Sequence, residues 1–422
     1  MRSAQPQQRK MLYPFILVTS LFFLWGFVHN LDPILIPHLK KSFSLNTLQS
    51  SLVDSAVFIA YFVMALPAGF IMRRYGYKAG IITGLLLFAI GSFLFIPAAN
   101  TQQYLFFLLA LFIIACGLTI LETAANPYAS LLGDPATATQ RLNFAQSFNG
   151  LAVTLAPIIG ARIILTKGFS DEELNAMTET ARKLALASEA SSVKTPYLVL
   201  GSIILVVAIL FALIRLPEIH DNDEQTVGKN LFHSLRHSHL RWAVIAQFFY
   251  VGAQVCVFSF FILFAVDAAG IDRVKAADYL GWGCGMAFMI GRFAGTFFMK
   301  FLQPARLLAI YALLSTVLSG VAMFAQGMVA VYAVIAIAFF MSIMFPTIFS
   351  LGIRELGGDA KFGSSLIVMA IVGGAILPPV MAQISDMTGN IQLGYIVPLF
   401  CFAVVGYFGW KGQRIRKNAI DE

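Results

Sequence analysis

The chain has 422 residues, of which 59% are hydrophobic and only 12% charged, with a formal net charge of +8 at pH 7. Soluble domains carry about 25% charged residues, so this composition has too little polar surface to cover a water-soluble globule. The basic residues are spread over short loops without forming a stripe, which argues against nucleic acid as a partner and for contact with anionic membrane lipid.

A hydrocarbon core of roughly 30 Å needs about 20 apolar residues per helix. Twelve such runs are predicted, near 12–38, 48–72, 78–98, 103–126, 143–166, 196–216, 240–268, 276–300, 304–325, 328–353, 361–386 and 392–412. Lipid offers no hydrogen bonds, so each run must satisfy its own backbone as a helix. The runs are too long and continuous for the short alternating segments of a β-barrel. The fold class is therefore an all-α integral membrane protein.

The first run carries Trp25, His29 and Asp32 at i, i+4 and i+7, which share one helix face. An aromatic ring can stack on the apolar face of a sugar while neighbouring polar groups bond its hydroxyls. Asn30 lies beside this stripe, and Pro33 and Pro37 loosen the helix after it. The run is too long and too polar for a cleaved signal peptide, so the mature chain is expected to start near Met1.

Between the second and third runs stands Gly69-Phe-Ile-Met-Arg73-Arg74-Tyr-Gly76-Tyr-Lys78. It resembles the loop signature of the major facilitator superfamily, which has an acidic residue where this chain has Arg73. Ala68-Gly69 and Met72-Arg73-Arg74 find an echo in Ala294-Gly295 and Met299-Lys300 at the end of the eighth run. That echo fits two repeated six-helix halves, whose interface at the membrane midplane is where such proteins bind solute. The expected division is 1–216 for the first half, 217–239 for a cytoplasmic linker and 240–422 for the second half.

The fourth run contains Glu122, a carboxylate in mid-helix with no Lys or Arg near it in sequence. Burial penalises the charged form of such a group, which suits a role in taking up and releasing a proton. The alternative is a structural carboxylate paired with an arginine such as Arg292 in the eighth run. The fifth run places Asn143, Gln146 and Asn149 at i+3 intervals, and the seventh places Gln247, Tyr250 and Gln254 on one face. A single amide serves equally as interhelical glue, but several polar-faced helices together imply a cavity.

Residues 167–195 form a polar, Ala-rich loop expected to hold an amphipathic surface helix. The linker at 217–239 contains His220, His233, His237 and His239, and only 233 and 237 have the spacing of a helical ligand pair, so a solvated linker is expected. The four cysteines sit inside apolar runs without metal-ligand spacing and read as packing residues. With both termini inside, nineteen Lys and Arg fall on the cytoplasmic face and nine on the other, as the positive-inside rule requires.

Several segments together resemble the L-fucose:proton symporter family. They are Asn-Leu-Asp-Pro-Ile-Leu-Ile-Pro at 30–37, Tyr77-Lys78-Ala-Gly-Ile-Ile-Thr-Gly-Leu, Leu121-Glu122-Thr-Ala-Ala-Asn-Pro, Arg141-Leu-Asn-Phe-Ala-Gln-Ser-Phe-Asn, Arg241-Trp-Ala-Val-Ile-Ala-Gln-Phe-Phe-Tyr-Val-Gly-Ala-Gln and Phe345-Pro-Thr-Ile-Phe-Ser-Leu-Gly-Ile. The resemblance covers nearly the whole chain. It implies the twelve-helix major facilitator fold, alternating access, and uptake of L-fucose or a related hexose with a cation, a proton or, in some relatives, sodium.

The resemblance also implies that Glu122 is the cation-coupling carboxylate and that Asn30, Gln146, Asn149 and Gln254 belong to the sugar cavity. One departure stands out. The family's first helix reads Asn-Leu-Asn-Asp-Ile-Leu-Ile, which puts its aspartate where this chain has Pro33, while Asp32 takes the preceding asparagine position and His29 replaces another asparagine. The expected cation site is thus Glu122 with Asp32, and the expected sugar site Trp25, His29, Asn30, Gln146, Asn149 and Gln254.

No cofactor is expected beyond the proton or sodium gradient, and the chain is expected to act as a monomer in the bacterial inner membrane. Neither a Ser/His/Asp set nor a zinc motif points to an enzyme. The alternatives within the fold are a sodium-coupled sugar symporter and a drug or solute antiporter.

Overall fold

The computed structural model describes residues 5–29, 43, 47–164, 173, 176–214, 216–217 and 234–415, and holds no strand among them. Its helices are α1 (Gln5–His29), α2 (Thr47–Thr101), α3 (Tyr104–Leu131), α4 (Ala138–Ile164), α5 (Glu179–Ser192), α6 (Lys194–Leu213), α7 (Ser238–Ser259), α8 (Phe261–Ala269), α9 (Arg273–Asp278), α10 (Met286–Phe298), α11 (Pro304–Phe324), α12 (Met328–Met341), α13 (Met344–Gly352), α14 (Ala360–Met369), α15 (Gly373–Thr388) and α16 (Ile396–Tyr407).

Each of the twelve predicted runs has a helical counterpart in this series, while 30–38 of the first, 165–166 of the fifth and 215 of the sixth lie outside the described residues. The second and third share α2, which turns at Gly76 with φ 81° and ψ 172°, a left-handed backbone that glycine adopts without a Cβ penalty. The seventh run is α7 with α8. The eighth is α9 and α10 joined by a π-helical turn, Tyr279–Gly285. The tenth is α12 and α13 on either side of Ser342 and Ile343.

Among the described residues, eight helices are long and apolar enough to cross a membrane. The second and third runs follow directly on one another at the non-helical Gly76, the eighth passes through a π turn, and α4 is diluted by Arg141, Asn143, Gln146 and Asn149. The apolar part of α1, Tyr13–Val28, is shorter than the others.

The chain forms two compact units. One comprises 24–124 and 155–216, the other 1–23, 125–154 and 217–422.

In the first of these, α2 packs along α6, where the Phe95 and Tyr197 rings stack in parallel with centroids 3.7 Å apart. The second limb of α2 meets α3 at two glycines. A Cβ on Gly117 would lie 2.6 Å from the carbonyl oxygen of Gly84, and one on Gly84 would lie 2.8 Å from that of Gly117. Small residues permit this backbone approach, the usual device of membrane helices, which lack a hydrophobic driving force between them.

In the same unit Lys78 donates to the carbonyls of Ala212 at 3.0 Å and Ile214 at 2.9 Å. Those carbonyls are the unpaired acceptors of the end of α6, where a cation is also favoured by the helix dipole. On α6 one face buries Leu200, Ile204 and Phe211, while Val199, Ile203, Val206 and Leu213 are exposed on the other. A helix apolar all round is buried in protein or faces lipid. The predicted surface helix of the 167–195 loop is α5, capped by Thr178 Oγ1, which accepts from Ala181 N, and it buries Ala185 while exposing Leu184.

In the other unit, α7 is central and packs against α13, α15 and α16, while α11 packs against α12 and α16. The backbone of Gly373 sits against the Phe248 carbonyl, leaving no room for a side chain there. At the base of α7, His237 Nε2 lies 3.5 Å from Asp359 Oδ2, and His239 Nε2 lies 3.0 Å from the Arg354 carbonyl. His220 and His233 of the linker lie outside the described residues. Among the described residues, no three His, Cys, Asp or Glu side chains converge as a metal site. Cys116, Cys256, Cys284 and Cys401 are buried and unbridged, in keeping with packing roles.

Candidate transport site

Glu122 stands on α3 between Thr119 and Thr123, whose hydroxyls are taken up by their own helix, donating to Ala115 O at 2.7 Å and Thr119 O at 2.6 Å. Glu122 is 7% exposed. Tyr61, on the first limb of α2, donates its hydroxyl to Glu122 Oε2 at 3.0 Å. An O–H donor can be accepted by a carboxylate or by the carbonyl oxygen of the neutral acid, so the bond is compatible with both protonation states of Glu122. Tyr61 was not among the residues singled out from sequence, because partners 61 residues apart leave no local pattern.

One turn beyond Glu122 on α3, Asn126 begins a second network. Gln146 Nε2 on α4 donates to Asn126 Oδ1 at 2.9 Å. On the other side of the same amide, Arg292 Nη1 of α10 donates to Gln146 Oε1 at 3.2 Å and also to the Gln146 main-chain carbonyl. Its Nε donates to the Ser342 carbonyl at 3.1 Å, where α12 gives way to α13, and the guanidinium carbon lies 4.7 Å from the centre of the Phe288 ring. An aromatic face attracts a cation, more strongly where water is excluded. Arg292, Gln146 and Asn126 are all buried.

The other predicted amides are placed differently. Asn143 is buried and donates from Nδ2 to Thr347 Oγ1 at 3.1 Å and to Thr139 O at 2.9 Å. Asn149 and Gln254 are half-buried. Gln247 and Tyr250, on the same face of α7 as Gln254, are fully buried. Neither amide atom of Gln247 nor the Tyr250 hydroxyl has a hydrogen-bond partner among the described residues. Trp25 is buried on α1. His29 ends α1, and Asn30 and Asp32 lie outside the described residues. One compact unit thus holds the buried Glu122 bonded to Tyr61, and the other holds the buried amides Asn126, Asn143, Gln146 and Gln247.

A twelve-helix chain with a buried intramembrane carboxyl and amide-lined helices is a secondary transporter by architecture. The chain belongs to the Major Facilitator Superfamily, whose family model matches residues 15–379. It is a multi-pass membrane transporter of the twelve-helix fold, and not an enzyme.

Its relatives include the L-fucose-proton symporter of Escherichia coli, 43% identical over 95% of this chain and 93% of that protein. A glucose/galactose transporter of Brucella abortus is 41% identical over 94% of this chain and 93% of its own length. Among solved structures, the major facilitator transporter FucP in the outward conformation is 42% identical, with a TM-score of 0.89 over 96% of this chain and 99% of that one.

Proposed function

We propose that the protein imports a monosaccharide, L-fucose or a related hexose, by proton symport with alternating access between two six-helix halves, 1–216 and 240–422. The observation that carries this reading is the buried Glu122 with its Tyr61 donor, in a chain more than 40% identical to both a fucose-proton symporter and a glucose/galactose transporter. Glu122 takes up the driving cation, with Asp32 as a second carboxylate on the first helix. Gln146, Asn149, Gln254, Asn30 and His29 bond sugar hydroxyls, and Trp25 offers an apolar ring. The gradient is the only energy source required, with no further cofactor.

The charge bias of the loops supports a topology with both termini in the cytoplasm, and the reading includes a monomer in a bacterial inner membrane. The test is counterflow in proteoliposomes with a panel of labelled sugars, including L-fucose, glucose and galactose, followed by uptake under an imposed inward proton gradient. Accumulation of one of these sugars that collapses with the proton gradient is expected. Accumulation that follows sodium instead would favour the sodium-coupled reading. Uptake of hydrophobic cations, dissipated by an inward proton gradient, would mark an antiporter.

A further inference from the structure

The last span of the chain ends in basic residues that the transport site does not use. α16 runs into a π-helical turn, Phe408–Gly412, and the sequence from 411 to 417 holds Lys411, Arg414, Arg416 and Lys417. Two glycines seat this turn against its neighbours. A Cβ on Gly409 would lie 2.8 Å from the Ala309 amide and 3.1 Å from the Ala305 carbonyl of α11, and one on Gly412 would lie 3.1 Å from Trp242 Cβ of α7. The turn is thereby brought beside the segments that carry Arg306 and Arg241. Arg241, Arg306, Lys411 and Arg414 are all exposed, and among the described residues none of the four forms an ion pair. No Asp or Glu occurs in α7, α11, α16 or the π turn. On the adjoining turn Glu355 stands next to Arg354, which donates to Gln413 Oε1 at 3.3 Å, and Asp359 lies against His237. Like charges gathered without a counter-charge repel one another unless an anion stands among them.

The aromatic residues set the depth of this cluster. Trp410 is 62% exposed with Lys411 Nζ 4.6 Å from its ring centre, and the rings of Trp242 and Tyr407 lie 4.7 Å apart. Trp and Tyr collect at the headgroup level of a membrane, and Lys and Arg reach the same level on their long stems. Away from the turn, α11 exposes Ile310, Leu313 and Val317 on one face, at i, i+3 and i+7. Cations at headgroup level beside an apolar strip that acyl chains can follow suit a phospholipid better than a free anion. Clusters of Lys and Arg immediately cytoplasmic of a membrane helix are anionic-lipid sites by their electrostatics. We propose that the π turn Phe408–Gly412, with Arg306 and Arg241 beside it, binds the headgroup of an anionic phospholipid. The site is independent of which sugar or cation is moved. In the topology proposed above it faces the cytoplasmic leaflet.

The test is native mass spectrometry of the full chain, purified and delipidated in mild detergent, then titrated with phosphatidylglycerol or with phosphatidylcholine of the same acyl chains. Phosphatidylglycerol is expected to bind about ten-fold more tightly. Arg306→Gln, Lys411→Gln and Arg414→Gln together should bring its binding down to that of phosphatidylcholine. A control triple, Arg74→Gln, Arg182→Gln and Arg273→Gln, removes exposed charges outside the cluster and should leave it unchanged. If the first triple does not stay monodisperse, Lys411→Gln alone decides and should weaken phosphatidylglycerol several-fold. The proposal is overturned if the two lipids bind alike, if the cluster variant keeps the parent's preference, or if the control triple loses as much. Displacement of phosphatidylglycerol by an equal concentration of inorganic phosphate would also overturn it, marking a phosphate site in place of a lipid site.

Discussion

The Tyr61 hydroxyl donates to Glu122 Oε2 at 3.0 Å, tying the first limb of α2 to the middle of α3 through a buried carboxyl. A hydrogen bond to a carboxylate contributes about 1.5 to 3 kcal/mol, so the two side chains are expected to act as one unit.

Glu122→Gln is expected to abolish uphill accumulation while retaining sugar exchange, because the amide mimics the protonated acid and cannot release a proton. Labelled-sugar uptake with and without an imposed proton gradient, set beside counterflow, measures the two activities separately. Full accumulation by the variant would remove Glu122 from the coupling step. Tyr61→Phe should fall between parent and Glu122→Gln, and the double variant should be no worse than Glu122→Gln alone, the non-additivity expected of residues in contact.

Gly117→Ala should destabilise the chain by about 1 to 3 kcal/mol, the usual cost of overpacking. The new methyl would meet the Gly84 carbonyl and the Phe88 amide at 2.6 Å each, and neither backbone can yield as a flexible side chain would. Thermal unfolding in detergent reads this directly. An unchanged midpoint would mean that α2 and α3 do not approach as closely as drawn.

Alanine at Gln146, Asn149 or Gln254 should weaken sugar binding several-fold, since a neutral hydrogen bond contributes about 0.5 to 1.5 kcal/mol. The three are not equivalent. Gln146 is held by Asn126 and Arg292, so its removal takes the donor from the buried Asn126 Oδ1 and one of the bonds of Arg292 and should also lower stability. Asn149 and Gln254 are half-buried and should affect affinity with little change in unfolding. Unchanged affinity in all three purified variants would assign them to helix packing.

The helices were legible because hydropathy and length are local properties. Each predicted run has a helical counterpart among the described residues, and the Gly76 turn sits inside the loop signature read from sequence. The breaks were not legible. The π turn at Tyr279–Gly285 leaves no periodic mark, and the Ser342 carbonyl is taken by Arg292, a neighbour distant in sequence. The candidate site was legible in residue type and not in pairing. Glu122, Gln146 and Arg292 stood out as polar groups in apolar runs, but Tyr61 looks like any aromatic of a membrane helix. Asn126 was visible beside Glu122, yet its bond to Gln146 spans two helices and leaves no mark in either.

The first helix poses the remaining question, since its carboxylate is Asp32 where the family pattern places one at the position of Pro33. One residue along a helix turns a side chain by about 100°, so in a helix continued through this segment Asp32 would not present its carboxylate where a residue at 33 would. At i+3 from His29 and i+7 from Trp25, it shares their face in a continuous helix. A cation or sugar site rotated toward that face, with Glu122 as the main coupling group, accounts for both departures at once, because His29 has also replaced an asparagine. Asp32→Asn and His29→Ala should then each alter the pH or sodium dependence of uptake, and the double variant should change it by less than the sum. If Asp32 merely caps backbone loosened by Pro33, both variants will transport with the parent's pH and sodium profile, and coupling then belongs to Glu122 alone.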